Sequence, residues 1–263
     1  NYTTVVTLIS IFSLFSSYVQ KGTCYNLIKQ SEEGKSSMLP NGDSSIKTLI
    51  AIGSIGEGKS SLCNSLAGKE YDDSEFPIDG TSTTSRKKLK WRGNGQNVWL
   101  IDTPGLFAQS ENEENKALDS MITELKKNSK VHVFAIVLNG SKPRFDESRK
   151  QMLRKFKQMF GDSFLDKNTV FIIANWHYDE SSCAKRLRIG QNEASKTSDI
   201  NKTLRDNFGV RNPKVPVIFL DVQHQKEESE EKRQFQKGLD ELQQCLNTFQ
   251  SYPSSSFRSP LSF

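Results

Sequence analysis

Cysteine is scarce in this chain. Cys24, Cys63, Cys183 and Cys245 are the only four, and none forms a C-x-x-C pair. That spacing excludes a zinc ribbon or a disulfide framework as the organising device, and a reducing compartment is the simple reading. A strong excess of one charge is also missing. There are 36 basic and 31 acidic residues, a net charge of +5, and they are dispersed rather than striped. This excludes nucleic acid as an expected partner, while a phosphate-bearing ligand or an anionic membrane surface fits. Charge is absent altogether from residues 1–20. Three readings of that apolar stretch compete: a membrane anchor of marginal length, a signal-like core without a basic leader, and an artefactual or non-conserved extension. The expected location is cytoplasmic, with membrane association through this segment if it is an anchor.

What is present is ordinary in bulk: 263 residues, 35% hydrophobic and 25% charged. That suffices for one sizeable domain with extensions. Residues 21–45 read as a linker, 46–224 as the domain, 225–250 as a C-terminal helix and 251–263 as a disordered tail.

The chain is organised around IKTLIAIGSIGEGKSS, residues 46–61. An apolar strand ends in Gly53, and Gly56, Gly58, Lys59 and Ser60 complete G-x-x-x-x-G-K-S, the phosphate-binding loop. Glycines let backbone N–H groups turn inward around a phosphate. Lys59 brings a point charge to the outer phosphates, Ser60 a hydroxyl for Mg²⁺, and the following helix its positive end. Gly53, Ser54, Gly56, Glu57, Gly58, Lys59, Ser60 and Ser61 are the candidate nucleotide-binding residues here.

A second motif, Asp102-Thr-Pro-Gly105, closes another apolar strand. A carboxylate at that strand end can hold Mg²⁺, and Gly105 can present its N–H to a terminal phosphate. Between the two motifs lies Thr81-Ser82-Thr83-Thr84. Phosphate loop, threonine-rich stretch, then DTPG is the order of a GTP-binding switch protein. Such proteins use one threonine there as a ligand to Mg²⁺ made only when the third phosphate is present. Thr84 is the choice, with Thr83 beside it. The expected metal ligands are Ser60, Thr84 and Asp102, and the expected catalytic groups are Lys59 and Thr84.

Apolar runs alternate with helical patterns. Strands are expected at 98–101, 131–138, 169–174 and 215–220, and helices at 59–67, 112–127 and 146–160. The predicted fold class is α/β: a three-layer P-loop NTPase fold, with a mostly parallel central sheet and helices on both faces. In the C-terminal helix Phe235, Leu239, Leu242, Leu246 and Phe249 recur at helical spacing, which favours packing on the domain over a partner helix.

GSIGEGKSSLCNSLAG, TSTTSR, DTPGLF, VHVFAIVLNGSKPRFDESRKQMLRKFKQMFG and ANWHYDE follow one another in an order that resembles the immunity-associated nucleotide-binding GTPases, the GIMAP/IAN family, relatives of septins and chloroplast import receptors. The resemblance implies binding of GTP and GDP with Mg²⁺, slow hydrolysis, and G domains that pair as dimers or larger oligomers. It implies a guanine-reading carboxylate after the next strand, where Asp179 fits. Trp176 or His177 would then cover the base. An alternative register places Asn175 in that motif and leaves Asp179 one residue late. Backbone from Asp221–Gln223 would complete the base side. Just after the DxxG motif, Leu106 and Phe107 stand where Ras-like enzymes carry a glutamine. Low intrinsic turnover is therefore expected, or completion by a second copy, with Arg86, Arg92 and Arg144 as possible donors in trans. A non-hydrolysing assembly module at a membrane is the alternative, and an ATP-using P-loop protein a third reading.

Overall fold

The computed structural model describes residues 46–260, apart from 69–75, 77–83, 92–94, 107–110, 128–129, 143–144, 213 and 223–228. The apolar segment at 1–20 and the linker at 21–45 lie outside the described residues. So do Thr81, Ser82, Thr83, Arg92, Phe107, Arg144 and Gln223.

The strand before the phosphate loop, β1 (Lys47–Ile52), is buried from Thr48 onward. A strand apolar on both faces needs cover on both faces, so it belongs in the middle of a sheet. It pairs in parallel with β3 (Asn97–Asp102) on one side and β5 (Val133–Asn139) on the other. β6 (Thr169–Ala174) and β7 (Val217–Leu220) continue in parallel. β2 (Ser85–Lys90) is antiparallel to β3 across a hairpin and forms the edge. The six-stranded order is β2-β3-β1-β5-β6-β7.

Helices cover both faces. On one lie α2 (Glu111–Lys126), α3 (Glu147–Phe160), the short α4 (Phe164–Lys167) and α6 (Glu193–Phe208), which bury Leu118, Met152, Phe160, Phe164 and Leu204. On the other lie α1 (Lys59–Leu66) and α7 (Ser229–Thr248). The three-layer expectation holds. α7 packs on the domain: Phe235, Leu239, Leu242 and Leu246 are buried in the second core. Each such side chain contributes about 1.5–3 kcal/mol by leaving water. α3 starts where Asp146 accepts from the backbone N–H of Arg149 and ends at Gly161. One more helix, α5 (Glu180–Arg188), buries none of its side chains. Among the described residues no helix is long and apolar enough to cross a membrane.

Two local expectations need correction. The run 131–138 reads as one strand, yet it breaks at His132 into β4 (Lys130–Val131) and β5. His132 N–H donates to Thr48 O at 2.9 Å, and Thr48 N–H donates to His132 Nδ1 at 3.0 Å. Burial, helped by Lys47 and Lys130, pushes the imidazole pKa down to about 4. The ring must be neutral to accept that bond. An unfolded histidine titrates near 6.5, so this contribution to stability is complete above pH 6.5 and is lost as pH falls through about 4. From pH 7 to 4.5 we expect about 2.5 kcal/mol less stability from this residue. The urea midpoint measured against pH checks it: His132→Gln should flatten that part of the slope, and an unchanged slope would contradict the assignment.

The tail is the second correction. Its composition predicts disorder from 251 on, but β8 (Tyr252–Pro253) pairs with β4, and a 3₁₀ turn follows at Ser254–Ser256. Phe257 is 3% exposed and meets Phe134 and Phe160 edge-on. Tyr252 Oη donates to Phe160 O at 2.6 Å. Polar serines dominate the local composition, but two aromatic anchors outweigh them.

Candidate functional site

Where β1 ends, the chain must turn sharply into α1. Gly58 takes φ +97°, a left-handed conformation that glycine adopts without strain. It stands as the N-cap of α1, with no side chain capping the helix. The first N–H groups of α1 therefore point out of the loop without a side-chain acceptor, which is the arrangement an anion completes. Lys59 opens α1 and is 6% exposed. Its Nζ donates to Ser54 O at 3.0 Å, folding the ammonium back over the loop. Burial lowers its pKa, while Asp102 and Glu57 pull it back up. Gly53 and Gly56 lie in the same turn, and Ser61 follows in α1. Ser54 Oγ lies 3.4 Å from Met152 Sδ, turned toward α3.

Ser60 Oγ donates to Asp102 Oδ2 at 2.6 Å, uniting the first and second motifs. Asp102 is fully buried at the end of β3 and pairs with Ser85, so Thr84 lies directly beyond it. The Thr84 hydroxyl is buried and has no hydrogen-bond partner among the described residues. Two hydroxyls and a carboxylate of this kind fit a hard cation that shares phosphate oxygens. Gly105 packs so tightly on the phosphate loop that a Cβ there would lie 2.7 Å from Ile55 N. Ile55 N–H donates to Leu106 O at 3.1 Å, and Leu106 N–H to Gly53 O at 3.3 Å. The DTPG turn is thus hydrogen-bonded to the phosphate loop. Leu106 is 1% exposed, part of the core. Arg86 lies 3.8 Å over the Trp99 ring, which gives it a packing role on the sheet edge.

The base side differs from expectation. Trp176 is 2% exposed, packed 4.9 Å from Phe219 and covered by the Arg186 guanidinium at 4.3 Å. Its ring is core and gives no open face to a base, so the stacking role expected of Trp176 is withdrawn. Asp179 caps α5: its Oδ1 accepts from Ser182 N–H at 2.9 Å, and that bonding lowers its pKa. Asn175 takes φ +55°, the non-glycine residue with positive φ among the described residues, immediately after β6. Ala174 pairs with Leu220, so the residues beyond β6 and β7 meet. There His177 Nδ1 lies 2.9 Å from Asp221 Oδ2, with Asp221 1% exposed and the histidine side chain 41% exposed.

Two groups escaped sequence reasoning. One is the Asp221 side chain, where only backbone was anticipated. The strand-end position of Asp221 was its signal. The other is Arg149, 2% exposed, paired through Nη2 with Glu57 Oε2 at 3.2 Å. The Glu57 carboxylate accordingly points into the interior, leaving its backbone as the part available to a nucleotide. Nothing in the spacing of these two residues announces the pair.

Known proteins share this architecture. Immune-associated nucleotide-binding protein 12 of Arabidopsis thaliana is 32% identical over 121 residues, 46% of this chain and 30% of that protein. Immune-associated nucleotide-binding protein 13 of the same plant is 31% identical over 147 residues, 54% of this chain and 41% of that protein. The chain therefore spans less than half the length of either relative. Toc33 from Arabidopsis thaliana, in complex with GDP and Mg²⁺, superposes with a TM-score of 0.57 at 19% identity, covering 77% of this chain and 83% of that one. A dimerization-deficient mutant of Toc33 gives 0.59 at 18% identity, covering 78% and 85%. At such identities the likeness establishes the fold, that of P-loop GTPases. Residues 47–247 match the family model of the AIG1 family, and with most of its length inside that match, this chain belongs to the AIG1 family.

Proposed function

We propose that this chain is a guanine-nucleotide switch protein, which binds GTP and GDP with Mg²⁺ and hydrolyses GTP slowly through pairing of its G domains. The observation that carries the reading is the convergence of Lys59, Ser60, Asp102 and Thr84 on one end of the sheet. Backbone N–H groups of the phosphate loop and α1 bind the phosphates, and Lys59 holds charge on the outer ones. Ser60, Asp102 and Thr84 would hold Mg²⁺, which when bound neutralises charge on the phosphate oxygens. In hydrolysis a water oxygen attacks the terminal phosphorus, the bond to the bridging oxygen breaks, and GDP and phosphate leave.

A specific observation supports the slow rate. Leu106, just past the DTPG turn, is buried and bonded to the phosphate loop. It cannot orient a water as a glutamine does. The same observation favours a second reading, a GTP-dependent assembly module with negligible turnover.

Nucleotide titration of the full chain with Mg²⁺, comparing GTP, GDP and ATP, tests the proposal alongside light scattering. We expect guanine preference, a dimer with GTP, and turnover per molecule that rises with protein concentration. Stable GTP-bound oligomers without turnover would select the assembly reading. Equal affinity for ATP would remove both.

A further inference from the structure

Glu57 occupies the residue of the phosphate loop immediately before Gly58, Lys59 and Ser60. A carboxylate placed under a phosphate site opposes an anionic ligand unless it is neutralised. Here it is neutralised from below. Its side chain is 2% exposed, and three donors converge on it: Arg149 Nη2 at 3.2 and 3.5 Å, Lys142 Nζ at 2.9 Å, and the backbone N–H of Asn139. Arg149 Nη2 also donates to Asn139 O at 3.3 Å. The buried pair thus ties the phosphate loop to the end of β5 and to the first turn of α3.

The tie extends further. Lys196 of α6 is 4% exposed and donates to Lys142 O at 2.7 Å. Gly140 N–H donates to Ala174 O at 2.6 Å, pinning the same turn against the end of β6. The network reaches the ends of β5 and β6 and the first turn of α3, at the end of the sheet that carries the phosphate loop.

We propose that Glu57 is a positioning residue: braced by Arg149 and Lys142, its carboxylate holds the backbone N–H cradle of the phosphate loop in its binding shape. Removing the brace loosens the cradle, so the grip on phosphates falls more than the grip on the base. This rests on the reading of the loop as a nucleotide site.

A buried ion pair also affects folding, and replacing both partners by neutral groups commonly recovers what breaking one partner loses. That separates the two roles. The readout is the ratio of GMP to GDP dissociation constants, measured by competition against a fluorescent guanine nucleotide, with melting temperature followed in parallel. GMP lacks the phosphate that the cradle grips, so a loosened cradle lowers the ratio. For Glu57→Gln we expect the ratio to fall about tenfold, which is about 1.4 kcal/mol. For Glu57→Gln with Arg149→Met we expect melting to recover while the ratio stays about tenfold low. Lys142→Met removes one brace from the half-exposed rim and keeps the core intact, and should lower the ratio about threefold. A wild-type ratio in Lys142→Met and in whichever of the other two variants folds overturns the inference, because a purely structural pair would move melting alone. Wild-type protein that binds no GDP would overturn the nucleotide reading itself.

Discussion

Lys59→Ala should abolish measurable GDP and GTP binding, raising the dissociation constant about a thousandfold. Charge-assisted bonds from a buried ammonium to phosphate are among the stronger single contacts, and about 4 kcal/mol corresponds to that loss. The variant should nevertheless fold. In the protein alone the ammonium donates to Ser54 O and is largely withdrawn from water, which lowers its pKa. Its removal takes away one hydrogen bond together with a desolvated charge, so melting should shift by only about 1 kcal/mol equivalent. Isothermal titration with a melting curve on the same sample reads both effects. Unchanged affinity would dismiss the phosphate-loop assignment, whatever the fold.

The second large effect concerns the base. Guanine offers donors at N1 and its exocyclic amine, so its reader must be an acceptor, and a carboxylate is the strongest. Two carboxylates compete. Asp179 already caps α5, and asparagine caps a helix equally well. Asp221 is buried at the end of β7, where it fixes the His177 ring. Asp221→Asn replaces a carboxylate oxygen beside the His177 ring by an amide N–H, so the base side loses an acceptor there. We expect GDP affinity to fall about a hundredfold, about 3 kcal/mol, with ATP binding unmoved, so that guanine preference disappears. Asp179→Asn should change GDP affinity less than about threefold, within one cap's worth of energy. The reverse outcome, preference lost with Asp179→Asn and kept with Asp221→Asn, would restore the base-reading register expected from the motif alone.

The contrast between these carboxylates shows where sequence reasoning loses its hold. The phosphate loop is contiguous, and its glycines, its lysine and the strand and helix that flank it are all read from one short stretch. Asp102 was legible for the same reason, since an apolar strand that ends in DTPG delivers a carboxylate to a predictable end of the sheet. The face of α7 was legible from spacing, and Phe235, Leu239, Leu242 and Leu246 are buried as that spacing requires. Trp176 was not legible: a large ring after a strand can stack on a ligand or on Phe219, and only its neighbours decide. The tail misled because its serines are polar while Tyr252 and Phe257 dock on Phe134, a contact no local pattern carries.

Local pattern along the chain was thus enough for the three-layer fold, the phosphate loop and the carboxylate beside it. These depend on strand and helix periodicity and on motifs only a few residues long. Tertiary structure decided which carboxylate faces His177, which way Glu57 turns and where the chain ends its packing. Glu57 and Arg149 are 92 residues apart, and His177 and Asp221 are 44 apart. Pairs so distant meet only because parallel strands bring their carboxyl ends to one edge, and burial then requires each charge brought there to find a partner.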